Sequence, residues 1–347
     1  MAATIKCDTI QNAGSANPNI TLDTNGNATV GNTLAMGSSF LRNRIINGDM
    51  RIDQRNAGAS VTPSTSGSYL VDRWTYSASQ ASKFTAQQTP SSTETGYAAR
   101  ITAGFTNYLA FTVSSSVSIT ASDYFVTWQK IEGLNTSDLA WGTAGAKTVT
   151  LSFLVYSSLT GTFGGAITNS AQNRSYPFSY SIASANTWTS ISVTIPGDTS
   201  GTWLTTNGVG ISVIFGMGVG STYSGTPNAW AGANYYSATS ATSVVGTNGA
   251  AFYITGVQLE AGSVATPYER RQYGHELALC QRYYHSKIFN IQPVTAFGSQ
   301  FFFPVPMRVA PTLSGGGAGF TSTVNTEYLY CYQTTLTTIT LVCSAEL

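Results

Sequence analysis

Side chains that can change charge are scarce in the middle of this chain and then arrive together. No Asp, Glu, Lys or Arg lies between Asp198 and Glu260. The stretch ITGVQLEAGSVATPYERRQYGHELALCQRYYH, residues 254–285, then carries three Glu, three Arg and both histidines, His275 and His285. Such a cluster has the chemical groups for acid–base catalysis, for metal binding, or for ion pairs at a structural junction.

Catalysis and metal binding fit this spacing poorly. Glycoside hydrolysis uses two carboxyl groups on either side of the scissile bond, but residues 148–259 contain only Arg174 and Asp198 as charged residues. A hydrolase would therefore need acids from residues 123–138, from the charged clusters, or from a second subunit. His275 and His285 would lie on different faces of one helix, which is not a metal-binding spacing. We predict no catalytic residue, no metal site, no cofactor and no enzyme activity.

Aromatic side chains in polar, loop-like stretches indicate a different chemistry, the binding of sugars. An exposed ring can stack on the C–H face of a sugar while nearby amides and hydroxyls bond the sugar hydroxyls. Packing of the same rings in the core is the alternative, and it is favoured for Trp128 and Trp188, which lie in strand patterns. The candidate glycan-binding residues are Trp141, Trp203, Tyr223, Trp230, Tyr235 and Tyr236.

The elements that must position these residues are mainly β. From residue 69 to residue 259, apolar side chains recur at every second position, as at Ile191, Val193 and Ile195, between clusters of Gly, Asn, Ser and Pro. This alternation predicts antiparallel strands with one buried face, arranged as a β-sandwich or jelly roll, with no amphipathic helix among them. We place this central domain at residues 69–267.

Two segments precede the sandwich. Residues 1–40 are predicted to form a short β-rich attachment and oligomerisation segment, with two strands about Asn25-Gly26, a dipeptide typical of a type I′ hairpin turn. A disordered leader is the alternative, because so few large apolar side chains bury little surface. Residues 41–68 alternate Arg and Asp and are interpreted as a charged connector, either solvated or setting register between chains.

Two further segments follow it. Residues 268–287 are predicted to form a helical junction, because Tyr273, Leu277, Cys280 and Tyr284 follow the spacing of one helical stripe. We assign these four residues to the junction or to an oligomer interface. Residues 288–347 return to strand patterns and are predicted to form a small C-terminal β domain.

Composition restricts the partners and the location. Only 9% of the residues are charged and the formal net charge is +1, so nucleic acid and anionic membranes are not predicted partners. The longest apolar run, residues 208–220, is too short and too rich in glycine to insert in a bilayer. The N-terminus lacks the apolar region of a secretory signal. The four scattered cysteines are expected to be free thiols, with a Cys331–Cys343 bridge as the alternative.

The order of several motifs resembles the tail-fibre and receptor-binding structural proteins of tailed bacteriophages. The resemblance covers residues 41–312 through NRIINGDMRIDQRNAG, YLVDRWTYS, NTWTSISVTIPGDTSGTWLTTNGVGISVIFGMGVGS, TPNAW, ITGVQLEAGSVATPYERRQYGHELALCQRYYHS and FFFPVPMRVAPTL. Its most specific part runs from Val257 to Tyr284. The family offers no shared catalytic residues for numbered positions of this chain.

The resemblance implies a virion protein, made in the host cytoplasm and located in the phage tail or tail fibre. It implies a homotrimer that attaches to other tail or capsid proteins through its N-terminal segment and carries a jelly roll similar to carbohydrate-binding modules. The expected ligand is a bacterial surface glycan, uncharged because residues 201–259 contain no Lys or Arg. A head or tail decoration or connector protein with a purely structural jelly roll is the alternative, and a tailspike depolymerase is the least favoured function.

Overall fold

The computed structural model describes residues 9–10, 20–22, 28–30, 42–64, 67–291, 299–315, 320–332 and 337–347. The chain divides into two compact units, Met1–Arg42 and Asn43–Leu347. Antiparallel sheets dominate the described residues, so the predicted mainly β fold class is confirmed.

The first unit contains a three-stranded antiparallel sheet of β1 (Thr9–Ile10), β2 (Ile20–Leu22) and β3 (Ala28–Val30). Strands β2 and β3 pair with Leu22 opposite Ala28. The two strands predicted about Asn25-Gly26 are therefore present, while the turn itself lies outside the described residues. The attachment and oligomerisation role of this segment stays a prediction.

The second unit contains a β-sandwich of two large sheets, together with a separate pair of two-residue strands. Its strands are β4 (Tyr69–Val71), β5 (Trp74–Ala78), β6 (Phe84–Gln88), β7 (Leu109–Val113), β8 (Tyr124–Glu132), β9 (Val149–Ser157), β10 (Gly161–Thr168), β11 (Ser175–Ile182), β12 (Thr189–Ile195), β13 (Val209–Val219), β14 (Ser224–Gly225), β15 (Ser237–Ala238) and β16 (Ala251–Ala261). Six strands form one sheet in the order β11-β10-β13-β8-β5-β4, and five form the other in the order β12-β9-β16-β7-β6. Both sheets are antiparallel, whereas β14 and β15 pair in parallel. This is the predicted antiparallel jelly-roll sandwich.

The core lies between the two sheets because alternate side chains of each strand point inward. In β12, Val193 and Ile195 are buried while the intervening Thr194 is exposed. Across the core, the rings of Phe153 in β9 and Phe215 in β13 meet edge to face with centroids 5.0 Å apart. Burial of each such side chain contributes roughly 1.5–3 kcal/mol to folding before entropy is subtracted.

One element of the sandwich differs from the sequence-based expectation. A short helix, α1 (Tyr97–Thr102), interrupts the strands between β6 and β7, so the expectation of no helix there is wrong. It was missed because six residues are too few to establish a helical period. In the described ranges, three single turns of 3₁₀ helix also occur, at Gly133–Asn135, Ser137–Leu139 and Ser221–Tyr223.

Residues 43–52 are not a solvated connector. Ile45, Met50 and Ile52 are buried, and the backbone N–H of Arg44 donates to the carbonyl of Leu259 in β16. The apolar residues between the charges therefore anchor this segment on the sandwich. The predicted domain boundaries within Asn43–Leu347 stay predictions.

The described residues that follow the sandwich form one helix and two small sheets. The helix is α2 (Tyr273–Gln281), which confirms the predicted helix in the junction. The strands are β17 (Tyr284–Ile291), β18 (Ser299–Phe302), β19 (Thr312–Ser314), β20 (Thr321–Val324), β21 (Tyr328–Tyr332) and β22 (Thr337–Ser344). They form two three-stranded antiparallel sheets in the orders β17-β22-β19 and β18-β21-β20.

The cysteines in the described residues are not bridged. Cys280, Cys331 and Cys343 are free and buried, as expected, and burial raises the pKa of the Cys343 thiol to about 11. Cys7 lies outside the described residues.

Candidate functional site

Three of the predicted glycan-binding residues pack against one another. The ring centroids of Trp141 and Trp203 are 4.7 Å apart, and Trp230 lies 5.4 Å from Trp141 and 5.6 Å from Trp203, all edge to face. Trp141 and Trp203 are only 6% and 9% exposed. Their indole N–H groups donate to backbone carbonyls, as does that of Trp230. These three rings thus act chiefly as packing groups, with only part of Trp230 open to solvent.

Tyr223 and Tyr236 lie in a second cluster on the outer face of the six-stranded sheet. Tyr223 and Tyr236 are stacked with centroids 5.1 Å apart and an interplanar angle of 9°, and both contact Tyr124 in β8 edge to face. Tyr235 lies over Gly225, where an added Cβ would come within 2.2 Å of its ring. The six predicted residues are therefore divided among a tryptophan cluster, a tyrosine cluster and the surroundings of Gly225, and they form no common sugar-binding face. Their glycan-binding role stays a prediction. The ring faces that take part in these contacts are already covered by other side chains of the chain.

A groove opens instead on the outer face of the five-stranded sheet. Its cavity volume is about 430 Å³. The floor is formed by Ser152 and Leu154 of β9 and by Ser190 and Ser192 of β12. These strands pair with Ser152 opposite Ser192 and Leu154 opposite Ser190, so the four side chains form a continuous patch.

One wall of the groove is positioned by a glycine in β16. Gly256 has a φ of +61°, at an irregularity in the pairing of β16 with β9 between Thr255 and Gln258. A Cβ at Gly256 would lie 2.5 Å from the ring of Phe105, so the absent side chain lets that ring rest on the strand. Phe105 meets Tyr268 edge to face with centroids 5.1 Å apart.

The polar groups of the groove are mostly hydroxyls. Ser190 and Ser192 are exposed and Ser152 is half-buried, and none of these hydroxyls has a hydrogen-bond partner among the described residues. Thr266 and Pro267 continue the wall beyond Tyr268. Arg270 is the charged residue of the lining, which contains no carboxyl group. The groove therefore combines donors and acceptors for hydroxyls with apolar surface from Leu154 and the wall.

An aromatic cluster and a buried ion pair support the face beside the groove. Tyr156 and Tyr253 stack with centroids 4.7 Å apart and an interplanar angle of 7°, and Trp188 packs on Tyr156. Nε1 of Trp188 donates to Glu94, which also binds Arg100 through Nε at 2.7 Å. Burial raises the pKa of Glu94, but hydrogen bonds from Arg100 and Trp188 outweigh it and hold that pKa below its usual value.

Four of the charged residues of the opening cluster form ion pairs within the chain, namely Glu269, Arg271, Glu276 and Arg282. Arg271 lies 3.4 Å from both Glu269 and Glu276, and Arg282 lies 2.7 Å from Glu132 of β8. The interpretation of this cluster as a charged junction rather than an active site is consistent with these pairs. Ion pairs between chains stay a prediction.

The junction residues do not share one buried stripe. The buried face of α2 consists of Glu276 and Cys280, followed by Tyr283, whereas Tyr273 is 57% exposed. Tyr284 belongs to β17 rather than to the helix. Tyr273 therefore departs from the predicted stripe, whereas Leu277 and Cys280 pack in one apolar cluster with Tyr283. The acidic Glu276 also faces inward, where it is buried in its ion pairs. The role of Tyr273, Leu277, Cys280 and Tyr284 in assembly stays a prediction.

The described part of the chain contains neither a metal-binding cluster nor a membrane-spanning helix. Among the described residues, no group of three or more His, Cys, Asp or Glu side chains is arranged to hold a metal ion. Within the same ranges, no helix combines the length and apolar character needed to cross a membrane.

Comparisons with known proteins give structural neighbours but no sequence match. No protein-family model and no curated protein sequence matches the chain. The enzymatically active domain of tailspike protein 4 of bacteriophage CBA120 is similar at 12% identity with a TM-score of 0.35, over 65% of this chain and 22% of that chain. This chain thus spans about a fifth of the length of that protein.

Carbohydrate-binding modules are also among the neighbours. The family 11 module of Clostridium thermocellum, in complex with a β-1,3-1,4-mixed-linked tetrasaccharide, is 13% identical with a TM-score of 0.28, over 60% of this chain and 98% of that chain. TmCBM61, in complex with β-1,4-galactotriose, is 10% identical with a TM-score of 0.30, over 64% of this chain and 99% of that chain.

Sequence reasoning missed most of the groove. The alternation of Ser190 and Ser192 with Ile191 and Val193 was a usable signal, because it places the serines on the face opposite the core. Nothing in the sequence indicated that Phe105 would meet residues of the segment after β16.

Proposed function

We propose that this chain is a phage virion protein, a homotrimeric tail fibre whose sandwich binds a host surface glycan without altering it. The observation that carries the glycan-binding part is the groove on the five-stranded sheet. Its serine hydroxyls lie beside Leu154, Pro267 and the ring of Tyr268. Sugars present this same mixture of hydroxyls and apolar C–H faces.

The size of the groove supports a small saccharide segment as the ligand. Its volume of about 430 Å³ falls within the range of roughly 300–1,000 Å³ typical of ligand pockets. The hydroxyls of Ser152, Ser190 and Ser192 have no hydrogen-bond partner in the part of the chain that the structure describes, so they offer donors and acceptors to such a ligand. These strands are held rigidly by the core behind them, which reduces the entropy lost on binding.

Binding without chemical change is proposed because the groove lining lacks carboxyl groups. A glycosidase mechanism requires an acid and a second carboxylate close to the scissile bond. Glu94, the carboxyl group beside the aromatic cluster, is held by Arg100 and Trp188 instead of facing a ligand. A depolymerase would need acids that a second subunit brings to the groove.

The phage, tail-fibre and homotrimer parts of the proposal rest on the sequence motifs between residues 41 and 312. A decoration or connector protein with the same sandwich would bury this face against other virion subunits. Antibody or gold labelling of the chain in intact particles separates the two: a projecting fibre is labelled, whereas a buried connector is not.

The test of glycan binding uses the intact protein on an array of bacterial surface polysaccharides, together with competition of phage adsorption by the free protein. We expect binding to one group of polysaccharides, no release of reducing ends, and reduced adsorption. The absence of binding to every polysaccharide and to the host envelope would reject the proposal.

A further inference from the structure

Arg270 is held at the wall of the groove by aromatic rings. Its guanidinium carbon lies 4.7 Å from the ring centroid of Phe105 and 5.6 Å from that of Tyr268. Its Nη2 atom donates a hydrogen bond to the carbonyl of Ala103 at 2.8 Å. Among the described residues, this is the one hydrogen bond of the Arg270 side chain. The guanidinium is therefore oriented while most of its N–H donors remain available.

Three carboxylates near Arg270 are bound to other arginines, whereas that of Glu260 accepts hydrogen bonds from Gln258 and Thr266. Glu269 pairs with Arg271, as does Glu276, and Asp49 pairs with Arg51 at 3.3 Å. Burial raises the pKa of Asp49, and the positive charges of Arg51 and Arg270 act against that rise. Arg270 itself forms no ion pair in the described part of the chain.

An exposed guanidinium beside a groove without carboxyl groups attracts an anion more strongly than a neutral group. The planar N–H fork of arginine matches the oxygens of carboxylates and of sulfate or phosphate esters. Hydroxyls of Ser152, Ser190 and Ser192 continue the polar surface across the floor. The aromatic neighbours reduce the freedom of the Arg270 side chain, so little further entropy is lost when it binds an anion.

We propose that the groove binds an acidic glycan, with an anionic substituent of one sugar bound by Arg270 and the adjoining hydroxyls bound by the serines. This inference rests on the proposed function and names its ligand class. This acidic ligand differs from the uncharged glycan predicted from sequence. That prediction considered only residues 201–259, which do not include Arg270. The single cation fits a ligand with isolated acidic groups rather than a densely charged polymer.

The test compares acidic and neutral polysaccharides on one array with the full-length protein. Acidic members include polymers with uronic acids and polymers with sulfate or phosphate esters. Each bound uronic-acid polymer is also tested after reduction of its carboxyl groups to alcohols, which keeps the backbone and removes the charge. We expect binding to an acidic member, weakening as salt is raised, and its loss after the charged group is removed.

Two variants and a control test the residue itself. Arg270→Gln is expected to weaken binding of the acidic glycan by about ten- to a hundredfold, the range for a lost charged hydrogen bond, while Arg270→Lys retains part of it. Lys147→Gln makes the same change in net charge at an exposed side chain outside the groove lining and leaves binding unchanged. The melting temperature of each variant distinguishes lost binding from lost folding.

The outcomes separate this inference from the proposed function. Binding to neutral polysaccharides only, or equal binding by wild type and a folded Arg270→Gln, would overturn the inference and leave glycan binding standing. No binding to any polysaccharide would overturn both. A preference for uronic acids over sulfate or phosphate esters, or the reverse, identifies the anion.

Discussion

The ring of Phe105 rests against the backbone of Gly256, at a place where a Cβ atom would lie 2.5 Å from the ring. This contact joins the segment after α1 to the irregular position in β16 and builds one wall of the groove. Gly256 also has a φ of +61°, a conformation that is costly for residues with side chains.

Gly256→Ala is expected to lower the free energy of unfolding for two reasons. The positive φ is costly for alanine, and the new Cβ atom would also clash with the Phe105 ring. Displacement of the Phe105 ring should add about 1–3 kcal/mol, the usual cost of overpacking. The matched control is Gly249→Ala, because Gly249 has a φ of +74° but no atom within 4 Å of an added Cβ. Urea denaturation measures both, and equal losses of stability in the two variants would refute the contact.

The Glu94–Arg100 pair should be a strong contributor to stability beside the groove. Arg100 is fully buried and Glu94 nearly so, and removal of one partner leaves the other charge uncompensated. Glu94→Gln is therefore expected to cost about 3–5 kcal/mol in the free energy of unfolding. The exposed control Glu327→Gln should change it by less than about 0.5 kcal/mol. Similar small effects of both variants would contradict this assignment.

Asp72 should make stability depend on pH. Burial raises the pKa of its carboxyl group to about 6, although hydrogen bonds from Gln54 oppose the shift. A raised pKa in the folded state means that stability present below the ordinary pKa, about 4, is lost as pH rises through about 6.

The comparison with Asp72→Asn isolates this effect. The free energy of unfolding of wild type, minus that of the variant, is expected to fall by roughly 2–3 kcal/mol between pH 4 and pH 7. Chemical denaturation at a series of pH values measures it. A difference that stays constant, or grows with pH, would show that Asp72 is not held in a desolvated site.

Leu277 provides a test of the junction. It packs with Ile46, Ile52 and Cys280, between α2 and the segment before the sandwich. Leu277→Asp is expected to lower the melting temperature, because an unpaired charge enters an apolar cluster. His275→Asp, at an exposed position of the same helix, is the control.

The oligomeric mass of these variants tests the predicted role in assembly. If α2 also supports a trimer, Leu277→Asp should release smaller species while His275→Asp keeps the wild-type mass. An unchanged melting temperature and an unchanged mass for Leu277→Asp would contradict both roles.

The sandwich could be predicted because its signal is local and repeated. Several strands alternate apolar and polar residues, as in Val193, Thr194 and Ile195 of β12, and the fold buries the apolar members as that pattern requires. The helix α2 was also predictable. The inward position of Glu276 was not, because it depends on ion pairs with the distant Arg51 and with Arg271.

The groove could not be predicted because it depends on contacts between distant segments. Phe105, Gly256 and Arg270 come together only when the strands are paired, and no periodicity encodes that meeting. The predicted aromatic residues do not form a single site, for a related reason. Rings in loop-like sequence, such as Trp141 and Trp203, can still pack against one another. Aromatic residues between polar residues are therefore weak evidence for exposure.

The most direct test of glycan binding in the groove is the affinity of Ser192→Trp for the polysaccharide that wild type binds. The bulky ring would fill the floor between β9 and β12, so at least tenfold weaker binding is predicted with little change in melting temperature. Ser181→Trp, at an exposed position of β11 in the other sheet, should bind as wild type does. Wild-type affinity in a folded Ser192→Trp protein would contradict the assignment of the groove as the glycan-binding site.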